Sequence, residues 1–466
     1  MGKAESPGSS NSLTILLSPP MKKPTKRGTP INTVEAVNDT GLGYVAAACK
    51  RAGANVTLLS WNIDLDRETF RRKLVELRPD IVGLKVFTTM FRESYETLRC
   101  VREILPEAIT LIGGPHPSTS QPEDLFIEFD GLLDFAIAGD GEHGVASLIA
   151  QIHIAGGKPE VAALSNVPGL IYRDGNEVYC NKLCLDADLD TLTPMDWSIQ
   201  RPEEFGTNHG LDNSSIGALI MDSRGCPARC AYCMSHKVNG SNPRHRSLEL
   251  LCAEIKELIY KYRVRALVFT GNAFLSDVDY VRELSEWLIQ QDIPLKWSFT
   301  GAAYTRTLLD TKLLSLLRRA GCTLIYFGIE SGSSNVRKRL SQPLALEEYA
   351  EIVKLTVQIG IRAGGYFMFG FPDETIHEMN ETIRYVLSLP FDPLSFAVCL
   401  PLPGTSSYKA VLEQQGIDRI DWGTYNFSNP KLLPCKASPK QVQRKIFETR
   451  LLRKSSIIRR LYRLFP

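Results

Sequence analysis

Apolar residues in the first third of the chain fall into short runs separated by stretches with a helical repeat. Runs ending at Leu17, Leu59, Leu84, Ile112 and Ile137 have the length of strands, and the segments between them carry helical patterns of about ten to fifteen residues. Strands alternating with helices predict a parallel sheet covered on both faces, with ligands beyond the carboxyl ends of the strands. The segments expected there are Ser18-Pro19-Pro20, Gly113-Gly114-Pro115-His116-Pro117-Ser118 and Gly139-Asp140-Gly141-Glu142.

The pattern then loosens. Gly169 to Tyr172 and Val178-Tyr179 flank Asp174-Gly175, which predicts a small hairpin, and residues 186–215 have little periodicity and read as a linker or lid. Alternation resumes with apolar runs at 216–221, 265–270, 295–300, 323–329, 364–370 and 394–399. Helices lie between them, for example 247–262, with Leu248, Leu251, Ile255, Leu258 and Ile259 on one face, and 306–319. Six β/α units predict a partial (β/α)6, TIM-like barrel with its active site at the C-terminal mouth. The stretch from Lys436 to Arg463 holds ten Lys or Arg and one acid, Glu448. Val442, Ile446, Leu451, Leu452, Ile457, Ile458 and Leu461 give it an apolar side. Such a helix either packs on the barrel with a solvated basic face or makes peripheral contact with an anionic membrane.

Composition narrows the class. With 466 residues, 44% hydrophobic and 23% charged, the chain is globular and large enough for two to three domains. A net charge of +2 offers no footprint for a nucleic acid. Eight of the eleven cysteines are scattered, which is no disulfide framework and fits a reducing, cytoplasmic compartment. No apolar run approaches a membrane span, and the first dozen residues are small and polar without a signal peptide's apolar core. The expected organisation is a disordered tail at 1–12, an α/β domain at 13–154 and a linker with a small hairpin at 155–214. A barrel core at 215–425 and a helical extension at 426–466 follow.

The densest chemical signal lies at 224–236, Arg-Gly-Cys226-Pro-Ala-Arg-Cys230-Ala-Tyr232-Cys233-Met-Ser-His236. Gaps of three and then two residues suit a loop whose thiolates meet three corners of a four-iron cubane, which ordinarily has four cysteine ligands. The fourth iron is then open to a small molecule. A structural zinc site completed by His236 is the rival arrangement. The loop follows the first barrel strand, at the mouth. Glu330 and Ser331 end the fourth barrel strand, where an acid can hold hydroxyls or an ammonium group and Ser331 can cap the helix beginning near Ser334. Gly364, Gly365 and Gly370 mark the fifth strand for close approach of a ligand or of a neighbouring element.

The cysteine triad, with Tyr232 just before its third member, resembles the signature of the radical S-adenosylmethionine (SAM) superfamily. The resemblance implies Cys226, Cys230 and Cys233 as catalytic ligands of a [4Fe-4S] cluster whose open iron is chelated by SAM. SAM is then split to methionine and a 5′-deoxyadenosyl radical. It also implies Tyr232 near the adenine, the strand of Gly364, Gly365 and Gly370 beneath it, and Glu330 and Ser331 on the ribose or methionine part. The chain departs from the family at Gly271-Asn272, where acids are usual, and at Gln342, where a lysine is common.

Pro401-Leu402-Pro403-Gly404-Thr405 forms a rigid loop after the sixth strand. It recurs in radical SAM enzymes that carry a cobalamin domain in front. With the 113–118 and 139–142 segments it extends the resemblance over nearly the whole chain, to a class B, cobalamin-type protein. The implied fold is an N-terminal Rossmann-like cobalamin-binding-type domain, the partial barrel and a C-terminal helical tail. Gly113, Gly114, Pro115, His116, Gly139, Gly141 and Glu142 would flank the corrin. No histidine stands in an Asp-x-His-x-x-Gly frame, since Gly114 precedes His116 by two and Gly141 precedes His143. Cobalamin is therefore expected without a histidine ligand from that motif. The implied activity is methylation of an unactivated carbon of a small metabolite or lipid by methylcobalamin, with flavodoxin or ferredoxin as electron donor. The alternatives are a radical-only dehydration, cyclisation or rearrangement without cobalamin, and a non-enzymatic zinc- or cluster-binding module.

Overall fold

The computed structural model describes residues 12–21, 38–59, 66–185, 188–204, 206–207, 211–301, 304–342, 344–423, 433 and 435–454. Five strands alternate with helices in the first unit: β1 (Thr14–Ser18), β2 (Asn55–Leu58), β3 (Ile81–Lys85), β4 (Ile109–Gly113) and β5 (Phe135–Ile137). They pair in parallel in the order β2-β1-β3-β4-β5, so the order reverses beside β1 and opens a crevice at the carboxyl ends of β1 and β3. Side chains alternate between two cores. Leu16, Val82, Leu84 and Ile112 meet Phe70, Leu98 and Phe129 on one face. Ile15, Leu17, Leu111 and Ile137 meet Cys49, Leu148 and Ile149 on the other. Burial on both faces is why these strands read as unbroken apolar runs.

The hairpin is present as β6 (Leu170–Asp174) and β7 (Glu177–Cys180), but it is no part of a linker. β6 pairs antiparallel with β5 and extends the first sheet to seven strands, covering an edge that three-residue β5 would leave open. Residues 188–204 are a packed connector. Leu189, Leu192, Met195 and Trp197 are buried, and the Trp197 indole donates to Glu254 at 2.9 Å.

The second sheet comprises β8 (Gly206–Thr207), β9 (Asp212–Ile220), β12 (Ala266–Phe269), β13 (Lys296–Gly301), β14 (Cys322–Glu330), β15 (Arg362–Phe369) and β16 (Leu394–Val398). Its order is β16-β15-β14-β13-β12-β9-β8, parallel throughout except for β8. Between β9 and β12 stands a separate ribbon of β10 (Ser223–Arg224) and β11 (Arg244–His245). The six parallel strands are the expected partial barrel, each within a few residues of its apolar run.

The helix Pro439–Lys454 follows. Val442 is buried with Phe369, Met379, Ile383 and Val398, so this segment packs on the barrel. Ile457, Ile458 and Leu461 lie outside the described residues, as does the 1–12 tail except Ser12. Among the described residues no helix is long and apolar enough to cross a membrane.

Candidate active site

The cysteine loop is held at its base. β10 and β11 are its two stems, pairing Ser223 with His245 and Arg224 with Arg244. Gly225 opens the loop at φ +93°, and a Cβ there would lie 2.0 Å from the Asn242 carbonyl, so only glycine lets the stems close. The Cys226 amide donates to Gly240 O at 3.0 Å, the Cys233 amide to Cys230 O at 3.1 Å, and the Ser235 amide to Cys233 Sγ at 3.4 Å. All three thiols are half-buried and unbridged. Burial first, then Cys233, pushes the Cys226 and Cys230 thiols up, so the three sulfurs feel one another across the loop. Three free thiols on one short loop could hold three corners of a site-differentiated cluster. No three His, Cys, Asp or Glu among the described residues gather tightly enough for a single metal ion, His236 with the cysteines included.

Tyr232 turns from this loop into the barrel, edge-on to Phe371 at 5.4 Å between centroids. Gln342 approaches the same place, its amide 3.3 Å from the Tyr232 hydroxyl and 3.7 Å from Cys230 Sγ. Glu330 ends β14 at a register shift against β15 and adopts φ +67°, a left-handed conformation that a non-glycine residue seldom takes. Burial raises its carboxyl to about 7, and the Tyr232 hydroxyl and the Arg337 guanidinium offset this only in part.

Several residues expected near SAM also have close partners within the protein. The Ser331 hydroxyl is buried, 3.1 Å from Thr382 Oγ1 and 3.1 Å from the Ser333 amide it accepts, so it shapes the strand-to-helix turn. Gly364 accommodates the Tyr326 ring, which a Cβ would meet at 2.5 Å, and that ring stacks on Tyr366 at 4.7 Å. Gly365 backs onto Phe367 and Phe391, and Gly370 faces Val398 and Leu433. Close packing within the protein accounts for Gly364 and Gly365, and a φ of +92° favours glycine at 370.

A cavity of about 380 Å³ opens at the strand ends of the first sheet. Its floor is apolar, from Leu17, Leu84, Leu111, Ile112, Ile137 and Val145, and Gly113, Gly114, Pro115, Gly139, Gly141 and Glu142 are among the residues that line it. Its far wall comes from the barrel: Met221, Ser223, Arg224, Ser235, Val238, Asn239, Thr270 and Asn272. Flat apolar walls and glycine backbone fit a corrinoid, and no histidine is among the lining residues. His116 in particular turns into the core, its Nδ1 3.0 Å from Thr88 Oγ1 and its Nε2 3.1 Å from Glu128 Oε2. Its expected place beside the corrin is thus corrected: the 113–115 backbone borders the cavity, and the imidazole does not.

Charge across this boundary is paired. Arg224 donates to Asp140 at 2.9 Å and to both Glu142 oxygens at 3.2 and 2.5 Å, while Arg244 donates to the other Asp140 oxygen at 2.8 Å. Burial alone would raise the Glu142 carboxyl, yet Arg224 holds it below its ordinary value. Lys85 pairs with Asp39 at 2.7 Å on the cavity lip. Sequence reading missed Arg224 and Lys85, which line the cavity, and Arg244, which pairs with Asp140 at its edge. The available signal was the acid pair Asp140 and Glu142 at a strand end, which demands cations from elsewhere once buried.

Residues 220–386 match the model of the radical SAM superfamily, and residues 31–149 match that of the B12 binding domain. The chain is 24% identical over 418 residues to an uncharacterized methyltransferase of Pyrococcus horikoshii, covering 90% of this chain and 86% of that one. It is 25% identical over 430 residues to the cytidylyl-2-hydroxyethylphosphonate methyltransferase of Streptomyces wedmorensis, covering 81% and 78%. Among solved structures, TsrM of Kitasatospora setae with cobalamin and [4Fe-4S] cluster bound superposes with a TM-score of 0.66 at 17% identity, over 93% of this chain and 85% of that one. The cobalamin-dependent radical enzyme OxsB with aqua-cobalamin bound gives 0.71 at 16%, over 95% and 67%. These likenesses show a shared fold. Both family models are matched in order along one chain, so a B12-binding domain stands ahead of a radical SAM domain.

Proposed function

We propose that the chain is a cobalamin-dependent radical SAM methyltransferase acting on an unactivated carbon of a small molecule or lipid. The observation that carries this reading is the shared cavity, walled on one side by strand ends of the first sheet and on the other by the outgoing stem of the cysteine loop with Ser235, Val238 and Asn239. When bound, the cluster, SAM and cobalamin supply hydrogen-atom abstraction from carbon and delivery of a methyl group. Cys226, Cys230 and Cys233 would hold the cluster. Glu330, poised near neutrality, would accept hydrogen bonds from polar groups of SAM, and Tyr232 would close the apolar side of that site. The backbone at Gly113, Gly114, Gly139 and Gly141 would pass close to the corrin, over a floor of leucine, isoleucine and valine that keeps water out. The methyltransferase names of two relatives support the reaction class. A flavodoxin- or ferredoxin-like donor would supply the electron.

The test is anaerobic reconstitution with iron, sulfide and cobalamin, followed by assay of iron, bound corrinoid and 5′-deoxyadenosine. All three are expected. Formation of 5′-deoxyadenosine by protein that takes up no cobalamin would replace this reading with the radical-only one. Stoichiometric zinc without iron would overturn both.

A further inference from the structure

We infer that Arg224 and Arg244, acting through Asp140 and Glu142, are positioning residues that set the distance and angle between the cysteine loop and the corrinoid wall. The inference rests on the function proposed above, in which the corrinoid would lie in the cavity whose far wall includes Ser223 and Arg224, the outgoing stem of the cysteine loop. Arg224 stands two residues before Cys226 on the outgoing stem of the loop, and Arg244 stands opposite it on the returning stem. Both stems are therefore gripped. On the other side, Asp140 stands just before the helix Gly141–Ala155 and Glu142 lies in its first turn, in the segment that lines the cavity.

The geometry is that of a clamp. Asp140 receives one arginine on each carboxylate oxygen, and Arg224 forks between Asp140 and Glu142. Arg244 reaches back to the Asn239 carbonyl at 2.8 Å, inside the loop itself. The Arg224 guanidinium also lies 5.8 Å from the ring centroid of Tyr44, a residue of the first unit. Side-chain exposure is 11% for Arg224, 13% for Arg244, 2% for Asp140 and 5% for Glu142. Two cations and two anions balance, so the clamp costs no net buried charge. A buried ion quartet joins two surfaces no more strongly than well-packed apolar residues would. Its forked, planar bonds instead hold a direction and a distance, which apolar surfaces able to slide do not. Placed at the root of the cluster loop, that rigidity acts on the gap between the two cofactors.

The experiment uses the full chain loaded with iron, sulfide and hydroxocobalamin, then reduced so that cluster and cob(II)alamin are both paramagnetic. Dipolar pulsed electron paramagnetic resonance reads the distance distribution between them. The wild type is expected to give one narrow distance. Arg224→Lys, with both centres still bound, should give a broadened and lengthened distribution, and Arg244→Gln a smaller change of the same kind. A merely structural role would lower thermal stability and cofactor loading while leaving the distance in the loaded fraction as in the wild type. Wild-type distance and width in fully loaded variants overturn the inference. If Arg224→Lys does not fold, Arg244→Gln decides alone, because it leaves the Arg224–Glu142 pair whole. If the wild type takes up no cobalamin, the proposed function fails, and hydrogen exchange of Arg244→Gln decides the clamp. Faster exchange in 139–145 and 223–246 together upholds it, and a change in one segment alone overturns it.

Discussion

Glu142 and Glu330 lie at the strand ends of two different sheets, and their carboxyls move in opposite directions. Glu142 is the more buried residue, yet Arg224 keeps it below the ordinary glutamate value. Glu330 is half-buried and is pushed up to about 7, because loss of water around its carboxyl is only partly offset by Tyr232 and Arg337. Burial by itself therefore does not decide ionisation; the partner does. The first sheet presents glycine backbone and apolar surface at its ligand edge, with its acids already neutralised by the barrel's arginines. The barrel presents thiols and an underpaired acid, groups still free to bind something. One region is finished as a scaffold and the other is left reactive.

The largest effect should come from the reactive side. Cys226→Ala, Cys230→Ala or Cys233→Ala should each abolish SAM cleavage and deplete the roughly four irons expected per chain, read by iron assay and 5′-deoxyadenosine formation. On the scaffold side, Arg224→Ala strands Asp140 and Glu142 as buried, underpaired anions. It should cost about 3–5 kcal/mol in chemical denaturation. Glu330→Gln tests the other half of the comparison: folding stability should hold or rise, while SAM binding weakens by about 1–3 kcal/mol in a titration of the reconstituted protein. A stability loss as large as that of Arg224→Ala would erase the distinction between the two glutamates.

Their pH responses should also oppose each other. The folded state holds the Glu330 proton that the unfolded chain has released, so this group lowers stability as pH rises from 4.5 through about 7. Glu374, raised to about 7 by burial, adds in the same direction. Glu142 stabilises fully above its ordinary 4.5, and that contribution is lost as pH falls below it. SAM affinity should decline as pH drops below about 7, and Glu330→Gln should flatten that profile. The smallest expected effect is that of Ser331→Ala, about 1 kcal/mol of folding stability with SAM affinity unchanged, because its hydroxyl is engaged by Thr382 and the Ser333 amide.

Much of the architecture was legible because it depends on local pattern. Strands such as β3 and β14 are short apolar runs bounded by polar or glycine residues, and each lies where its run predicts. The cysteine triad was equally plain, since its ligands fall within eight residues of one loop. The hairpin was visible as a hairpin, but its partner was not, because pairing with β5 depends on which edge of the sheet is free. Ser331 and the glycines of β15 show the converse limit of pattern. Their sequence pattern suits a ligand as well as it suits a close neighbour, and only coordinates reveal that Thr382 and Tyr326 occupy those places.

The sequence by itself determined the two α/β units, their order, the cluster loop at the barrel mouth and the lack of a corrinoid-type histidine frame. Each follows from residue type and spacing within a few tens of residues. Tertiary structure alone decided that His116 turns into the core, that Glu330 is left short of partners, and that Asp140 and Glu142 meet Arg224 and Arg244 across the boundary. The acid–arginine pairs are separated by more than eighty residues, and their energies depend on burial and on the angle between groups. Periodicity carries the direction a side chain takes from its own backbone, but not what another unit brings to meet it.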